Sequence, residues 1–391
     1  MAEAVIRRVA RAGMRQRELR SLPGGWEGPV LLLITVVALS AGLVAVYSAS
    51  SFKAQAVGLP DYHYLVRQAM GGAAGLVVLA FMAWLDYRRL RLLAWPILGV
   101  TVLALLILVV PGSEAIAPRI NNARRWLVLG PVILQPSELA KVALIVWTAA
   151  RAVDKQDRMQ SLTRGLLPFV VVWGGVVGLI ALEPSLSAAL LTLLLAALVL
   201  FAGGARMGHA LLLAVPGLPL LWLQLGNLSY QIERVTAFIQ GLLSPSNVPY
   251  QLKQALIAVG SGGLFGRGIG HGQQKFGFLP EPHNDFLLAM IGEEWGFVGV
   301  TGVVVLFGMF AVIGYRIARQ ARDPFGFLLA IGMTNLIAVQ ALLHMGVNLA
   351  LLPTTGVTLP LMSYGRSSLL VCLAAIGVLL NIARQSGRRM E

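Results

Sequence analysis

Charge is scarce in this chain. Only 12% of its 391 residues are Asp, Glu, Lys or Arg, whereas 57% are hydrophobic. Ordinary globular proteins carry about 25% charged residues, so a soluble domain is excluded and a polytopic membrane protein is expected. Acidic residues are scarcer still, at 17 against 31 basic ones. Cysteine occurs once, as Cys372 in an apolar run, which excludes a disulfide framework and a cysteine-based metal site. The glycine-rich run from Gly260 to Gly272 lacks the Lys-Ser/Thr ending of a phosphate-binding Walker loop. His271, His283 and His344 show no metal-ligand spacing, which argues against a dedicated zinc site. The first twenty residues are Arg-rich without an apolar core, so no cleavable signal peptide is expected. Neither a direct nor an inverted repeat is evident, which disfavours transporter folds built from such repeats.

What the chain does have is apolar length. About 20 apolar residues cross a bilayer core, and ten such spans can be read: 29–49, 66–85, 92–111, 133–150, 166–183, 185–203, 208–226, 285–315, 325–350 and 358–382. The expected fold is therefore all-α, a membrane domain over 29–382 between a basic tail at 1–28 and a short tail at 383–391. Twenty of the 31 Lys and Arg fall in both tails and in the alternate loops on their side, against nine in the opposite loops. Cytoplasmic loops are enriched in these residues, so both termini are expected inside. The basic tail reads as an orientation signal that contacts anionic lipid, not as a nucleic-acid arm.

The longest polar interval, 227–284, would then face outward. A loop of this length is seldom mere connection. Short helices and irregular chain are expected in it, since no alternating strand pattern is present. It ends at Leu279-Pro280-Glu281-Pro282-His283-Asn284-Asp285, where Asp285 reads either as a helix N-cap or as a general base on a rigid mount. Glu293 and Glu294 lie deeper in the same helix, Glu293 by about 12 Å, where ionisable groups face a partner or a cavity. Glu138 and Lys141 are spaced to pair on one helix face. Glu183 stands near an outward boundary, where ionisation should be cheap. Asn121-Asn122-Ala123-Arg124-Arg125-Trp126 sets two guanidiniums beside an indole. That pattern is either an interfacial anchor or a phosphate-binding pair. Lys275 and Arg234 are further cations in the large loop.

Several of these stretches together resemble the FtsW/RodA/SpoVE (SEDS) family. They include Tyr47-Ser48-Ala49-Ser50, Ala123-Arg124-Arg125-Trp126-Leu127 leading to Gln135-Pro136-Ser137-Glu138, and Tyr250-Gln251 through Gly263. The strongest is Phe278-Leu279-Pro280-Glu281 with His283-Asn284-Asp285-Phe286 and Gly292-Glu293-Glu294; the last is Leu352-Pro353 with Gly356, Leu359-Pro360 and Ser363-Tyr364-Gly365. Thr354 to Pro360 looks more like the division branch than the elongation branch, which usually has proline where Thr358 stands. Three departures are visible: Ser185 where the family reads Asp, Arg366 for a second glycine, and His344 for asparagine.

The resemblance implies a peptidoglycan glycosyltransferase that polymerises lipid II on the outer face of the bacterial cytoplasmic membrane, partnered by a class B penicillin-binding protein. It places the catalytic aspartate on Asp285, the Arg-Trp motif on Arg125 and Trp126, and a fourth-span lysine on Lys141. Glu281 and His283, in the aspartate's own motif, are grouped with substrate binding. The chemistry fits these residue types. A sugar hydroxyl needs a base in the transition state, for which Asp285 serves, and a departing pyrophosphate needs preorganised cations. Arg124, Arg125 and Lys275 are the candidates in that order, and a divalent cation such as Mg or Mn could share the role. The polyprenyl tail requires lateral access from lipid. Two other classes stay open: a lipid II translocase using Lys141, Glu138 and Glu293, and a non-catalytic scaffold for the penicillin-binding protein. The resemblance places partner contact on lipid-facing surfaces of the eighth and ninth spans, with the small residues Gly332 and Gly346 as expected contact points.

Overall fold

The computed structural model describes residues 25–119, 123–130, 132–156, 159, 161–183, 185–205, 234, 236–241, 244 and 248–387. The seventh expected span, Asn121 and Asn122, most of the amino-terminal tail and part of the loop lie outside them. Helices dominate: α1 (Glu27–Ala56), α2 (His63–Trp84), α3 (Arg88–Leu92), α4 (Ala94–Val109), α5 (Pro136–Asp154), α6 (Leu167–Leu182), α7 (Leu186–Ala202), α8 (Tyr250–Ser261), α9 (Leu287–Gln320), α10 (Pro324–Asn348) and α11 (Arg366–Gly387). Five of them, α1, α2, α9, α10 and α11, are long and apolar enough to cross a membrane; α4, α6 and α7 are shorter apolar helices. The chain is an integral membrane protein.

Burial sorts these helices into inner and outer. Nearly every residue of α5 from Ala140 to Ala150 is buried, and α10 is covered on most of its surface. By contrast α1, α2 and α9 leave Leu33, Val77, Val305 and Val312 exposed, as faces against lipid must. Lipid supplies no hydrophobic force between helices, so contact depends on close packing of small groups. The start of α10 shows the local logic. Asp323 caps it by accepting from the Gly326 N–H at 2.8 Å, and Pro324 follows at the first helical position.

Three expectations change. A short antiparallel hairpin, β1 (Leu127–Leu129) with β2 (Val132–Leu134), precedes α5, pairing Val128 with Ile133. Gly332 is not a lipid-facing contact point: a side chain there would meet Ile145 and Val199 inside the bundle, and one at Gly346 would meet Leu352. The eighth span starts at Leu287 rather than Asp285, and it is broken. Gly296 sits at φ 69°, ψ −163° within α9, a region glycine enters without the steric cost of a side chain.

Loop residues 263–268 fill this break. The N–H groups of Arg267 and Gly268 donate to the carbonyls of Glu293 and Glu294 at 3.0 and 3.1 Å. In return Phe297 and Val298 donate to the carbonyls of Gly263 and Leu264 at 2.9 and 3.1 Å. The helix thus exchanges part of its own ladder for bonds to the loop, which pair the Phe297 and Val298 N–H groups and the Glu293 and Glu294 carbonyls. Gly266 permits the approach, since a Cβ there would collide with the Glu294 carbonyl.

A candidate active site at the Asp285 loop

The short arm of α9 before Gly296 carries the loop wrapped around it. Glu293 accepts from the Gln273 and Gln274 N–H groups at 2.8 and 3.1 Å, and Arg267 lies 3.8 Å away. Glu294 accepts from Ser48 at 2.6 Å, from Lys275 at 3.1 Å and from the Gly272 N–H at 3.3 Å. Both carboxylates are buried. Lys275 also donates to Ser48 and to the Gly270 carbonyl. It is therefore engaged in tying the loop to α1 and α9. Ser48, from the first quoted motif, completes that tie, a pairing across 227 residues that no local pattern announces.

Asp285 stands just before the arm. It is not the cap: Phe286 occupies that position, with no side-chain bond. Asn348, at the end of α10, does the capping instead. Its Oδ1 accepts from the Ala289 N–H at 3.0 Å, while its Nδ2 donates to the Asp285 backbone carbonyl at 3.0 Å. The Asp285 carboxylate is thereby left to other work. Burial, and secondarily the Glu281 carboxylate, push it up to about 6; Arg234 and Arg125 pull the other way. A carboxylate poised there can take a proton near neutral pH.

The neighbouring motif residues are placed with it. Glu281 pairs with Lys53 of α1 and accepts from Asn284 at 2.9 Å. His283 is buried in a box of rings, 4.8 Å from Tyr64 and 5.6 Å from Tyr364 between centroids. Burial pushes its imidazole down to about 4, so it is neutral at physiological pH.

The two neighbouring arginines diverge. Arg124 pairs with Glu114 and reaches the Val110 carbonyl, beyond the end of α4. Arg125 turns the other way: its Nε donates to the Glu183 carbonyl at 3.2 Å, and its charge bears on Asp285 and on Glu183 alike. Trp126 is half-buried between them and the hairpin. Arg234, whose Nη1 reaches the Thr354 carbonyl at 3.5 Å, is the second cation bearing on Asp285. Glu183 overturns its expectation. It lies in the turn after α6, outside the helix, but it is 2% exposed, and burial pushes its carboxyl up to about 8 against the pull of Arg125. Desolvation without donors outweighs proximity to the membrane surface.

Beneath the loop, Lys141 pairs with Glu138 at 2.7 Å, as their spacing suggested, and donates to Gln340 at 3.1 Å. Gln340, His344 and Asn348 recur every fourth residue on one face of α10. His344 bonds the Val357 carbonyl at 2.9 Å, and its own carbonyl accepts from Asn348. A polar line therefore runs from the Lys141 ion pair to the backbone of Asp285. Among the described residues no group of three or more His, Cys, Asp or Glu converges as a metal site would. Asn348 and Glu183 are the members that sequence reasoning missed or misjudged; a polar stripe at helical spacing in an otherwise apolar span was the available signal.

The chain is similar to known proteins over most of its length. The FtsW/RodA/SpoVE cell cycle protein model matches residues 30–388. A probable peptidoglycan glycosyltransferase FtsW of Geobacter metallireducens is 39% identical over 354 residues, 90% of this chain and 94% of that protein. Stage V sporulation protein E of Bacillus subtilis is 34% identical over 357 residues, 91% and 97% of the two chains. Among solved structures, a chain from a peptidoglycan synthase complex that coordinates polymerization and crosslinking superposes with a TM-score of 0.74 at 30% identity, covering 95% of this chain and all of that one. The rod shape determining protein RodA of Thermus thermophilus gives 0.64 at 29% identity, covering 95% of this chain and 99% of its own. The chain belongs to the FtsW/RodA/SpoVE family of cell cycle proteins.

Proposed function

We propose that this chain is a peptidoglycan glycosyltransferase that polymerises lipid II at the outer face of the bacterial cytoplasmic membrane, in division or elongation, together with a class B penicillin-binding protein. The observation that carries this is Asp285: a half-buried carboxylate poised near pH 6, relieved of helix capping by Asn348 and faced by two arginines. In this reading Asp285 accepts the proton of the acceptor sugar's 4-hydroxyl as that oxygen attacks the donor's anomeric carbon. The bond to the donor pyrophosphate breaks on the opposite face, inverting the centre. Arg125 takes the gathering negative charge. It ranks ahead of Arg124 and Lys275 because its charge bears on Asp285, whereas those two pair with Glu114 and Glu294. The test is purified protein in liposomes supplied with labelled lipid II: glycan strands support the reading, and transbilayer movement without strands, or neither, rejects it.

Arg125 gives a sharper check. Removing one preorganised donor to developing charge typically costs ~10²–10³ in kcat, so Arg125→Ala should lose about that much. Arg125→Lys keeps the charge without the planar fork and should fall between. Parental rates in both variants would reduce Arg125 to an anchor of the turn after α6.

Orientation is tested independently. The basic bias puts both termini inside, so in a Cys372→Ala background an impermeant thiol reagent added outside should label Ser246→Cys and spare Ser161→Cys. The reverse labelling would move Asp285 to the wrong face for lipid II polymerisation.

A further inference from the structure

Glu183 is 2% exposed, and neither of its side-chain oxygens has a hydrogen-bond partner among the described residues. A buried polar group without a partner destabilises the fold, so one retained in this way calls for a ligand or a role. Holding Arg125 is not that role, because Arg125 bonds the backbone carbonyl of Glu183, which any residue would supply. What the side chain does share with Arg125 is place: the same guanidinium bears on Glu183 and on Asp285.

We infer that Glu183 is a substrate-contacting residue whose neutral carboxyl donates a hydrogen bond to the diphosphate held by Arg125. The inference rests on the glycosyltransferase reading. Burial that pushes the carboxyl up to about 8 keeps the proton in place at neutral pH. Among the described residues, Arg125 supplies the charge that bears on Glu183. With Glu183 neutral, the positive charge of Arg125 is not cancelled from that side and serves the incoming anion. With Glu183 ionised, the arginine is partly neutralised and the diphosphate meets a like charge. Protonation of Glu183 thus sets the affinity of the site for its anionic substrate.

Glu183→Gln and Glu183→Leu separate the possibilities, with lipid II in proteoliposomes and kcat and KM measured from about pH 6.5 to about 9.5. One pH unit above its pKa roughly a tenth of an acid remains protonated, so parental kcat/KM should fall about tenfold between pH 7 and 9, mainly through KM. Gln is isosteric and donates without titrating, so Glu183→Gln should stay within about threefold of the parent at pH 7 and lose that alkaline fall. Glu183→Leu should raise KM at every pH. Parental KM in Glu183→Leu, an alkaline fall that persists in Glu183→Gln, or a Gln variant as impaired as Leu would each overturn the assignment. A parental protein that makes no glycan would instead reject the glycosyltransferase reading itself.

Discussion

Asp285→Asn should abolish glycan polymerisation while leaving the protein folded, inserted and able to bind its partner. The expected loss is that of a general base, ~10²–10⁴-fold. Its effect on stability should be small, because the first turn of α9 is capped by Asn348, not by Asp285. Asn also keeps the backbone carbonyl that Asn348 holds. The parental rate should rise with pH through about 6 as Asp285 loses its proton, and that limb should vanish in the residual activity of the variant. Were Asp285 a capping residue, Asn would be tolerated in activity and Ala would mainly destabilise. A monodisperse Asp285→Asn protein that polymerises lipid II at the parental rate would remove this residue from the mechanism.

The second large effect is on stability. Lys141 is 2% exposed and pairs with Glu138, whose other oxygen has no partner among the described residues. Lys141→Met strands a buried carboxylate, and breaking a buried pair from one side costs about 3–5 kcal/mol. Melting of the purified variant should fall accordingly. Replacing both members, Glu138→Gln with Lys141→Met, should recover most of the loss, since a buried pair is worth little against well-packed neutral groups. Equal melting of parent and single variant would show that the pair contributes nothing. Activity then decides the role. A stable double variant that still polymerises makes Lys141 structural; one that does not makes it part of the chemistry its family motif implied.

Much of this was readable from local pattern. Apolar run length located the described spans, although the last helix starts at Arg366, eight residues after the expected 358, and α1 runs seven residues past 49; three-residue spacing paired Glu138 with Lys141. Motif order marked Asp285. What escaped depended on direction or distance. Arg124 and Arg125 are chemically identical in sequence, yet they diverge in the structure: Arg124 pairs with Glu114, and the charge of Arg125 bears on Asp285. Asn348 lies 59 residues from the Ala289 N–H it caps. Hydropathy put Glu183 at a water boundary, because it does not register what folds over a residue. Gly296 looked like any glycine in a helix, a cost of about 1 kcal/mol, and nothing local declared that a loop would occupy its break.

That occupied break sets how the site comes apart. Residues 263–268 and 293–298 share four backbone bonds, and the carboxylates just before Gly296 hold the next stretch of loop. Neither partner can open while the other stays closed, so a segment without regular structure gains the protection of a transmembrane helix. Local opening free energies usually drop in active-site loops; here the four shared bonds tie the loop before Asp285 and its helix into one unit. A destabilising change anywhere in that unit therefore registers at Asp285 as loss of the whole mount, not as gradual loosening.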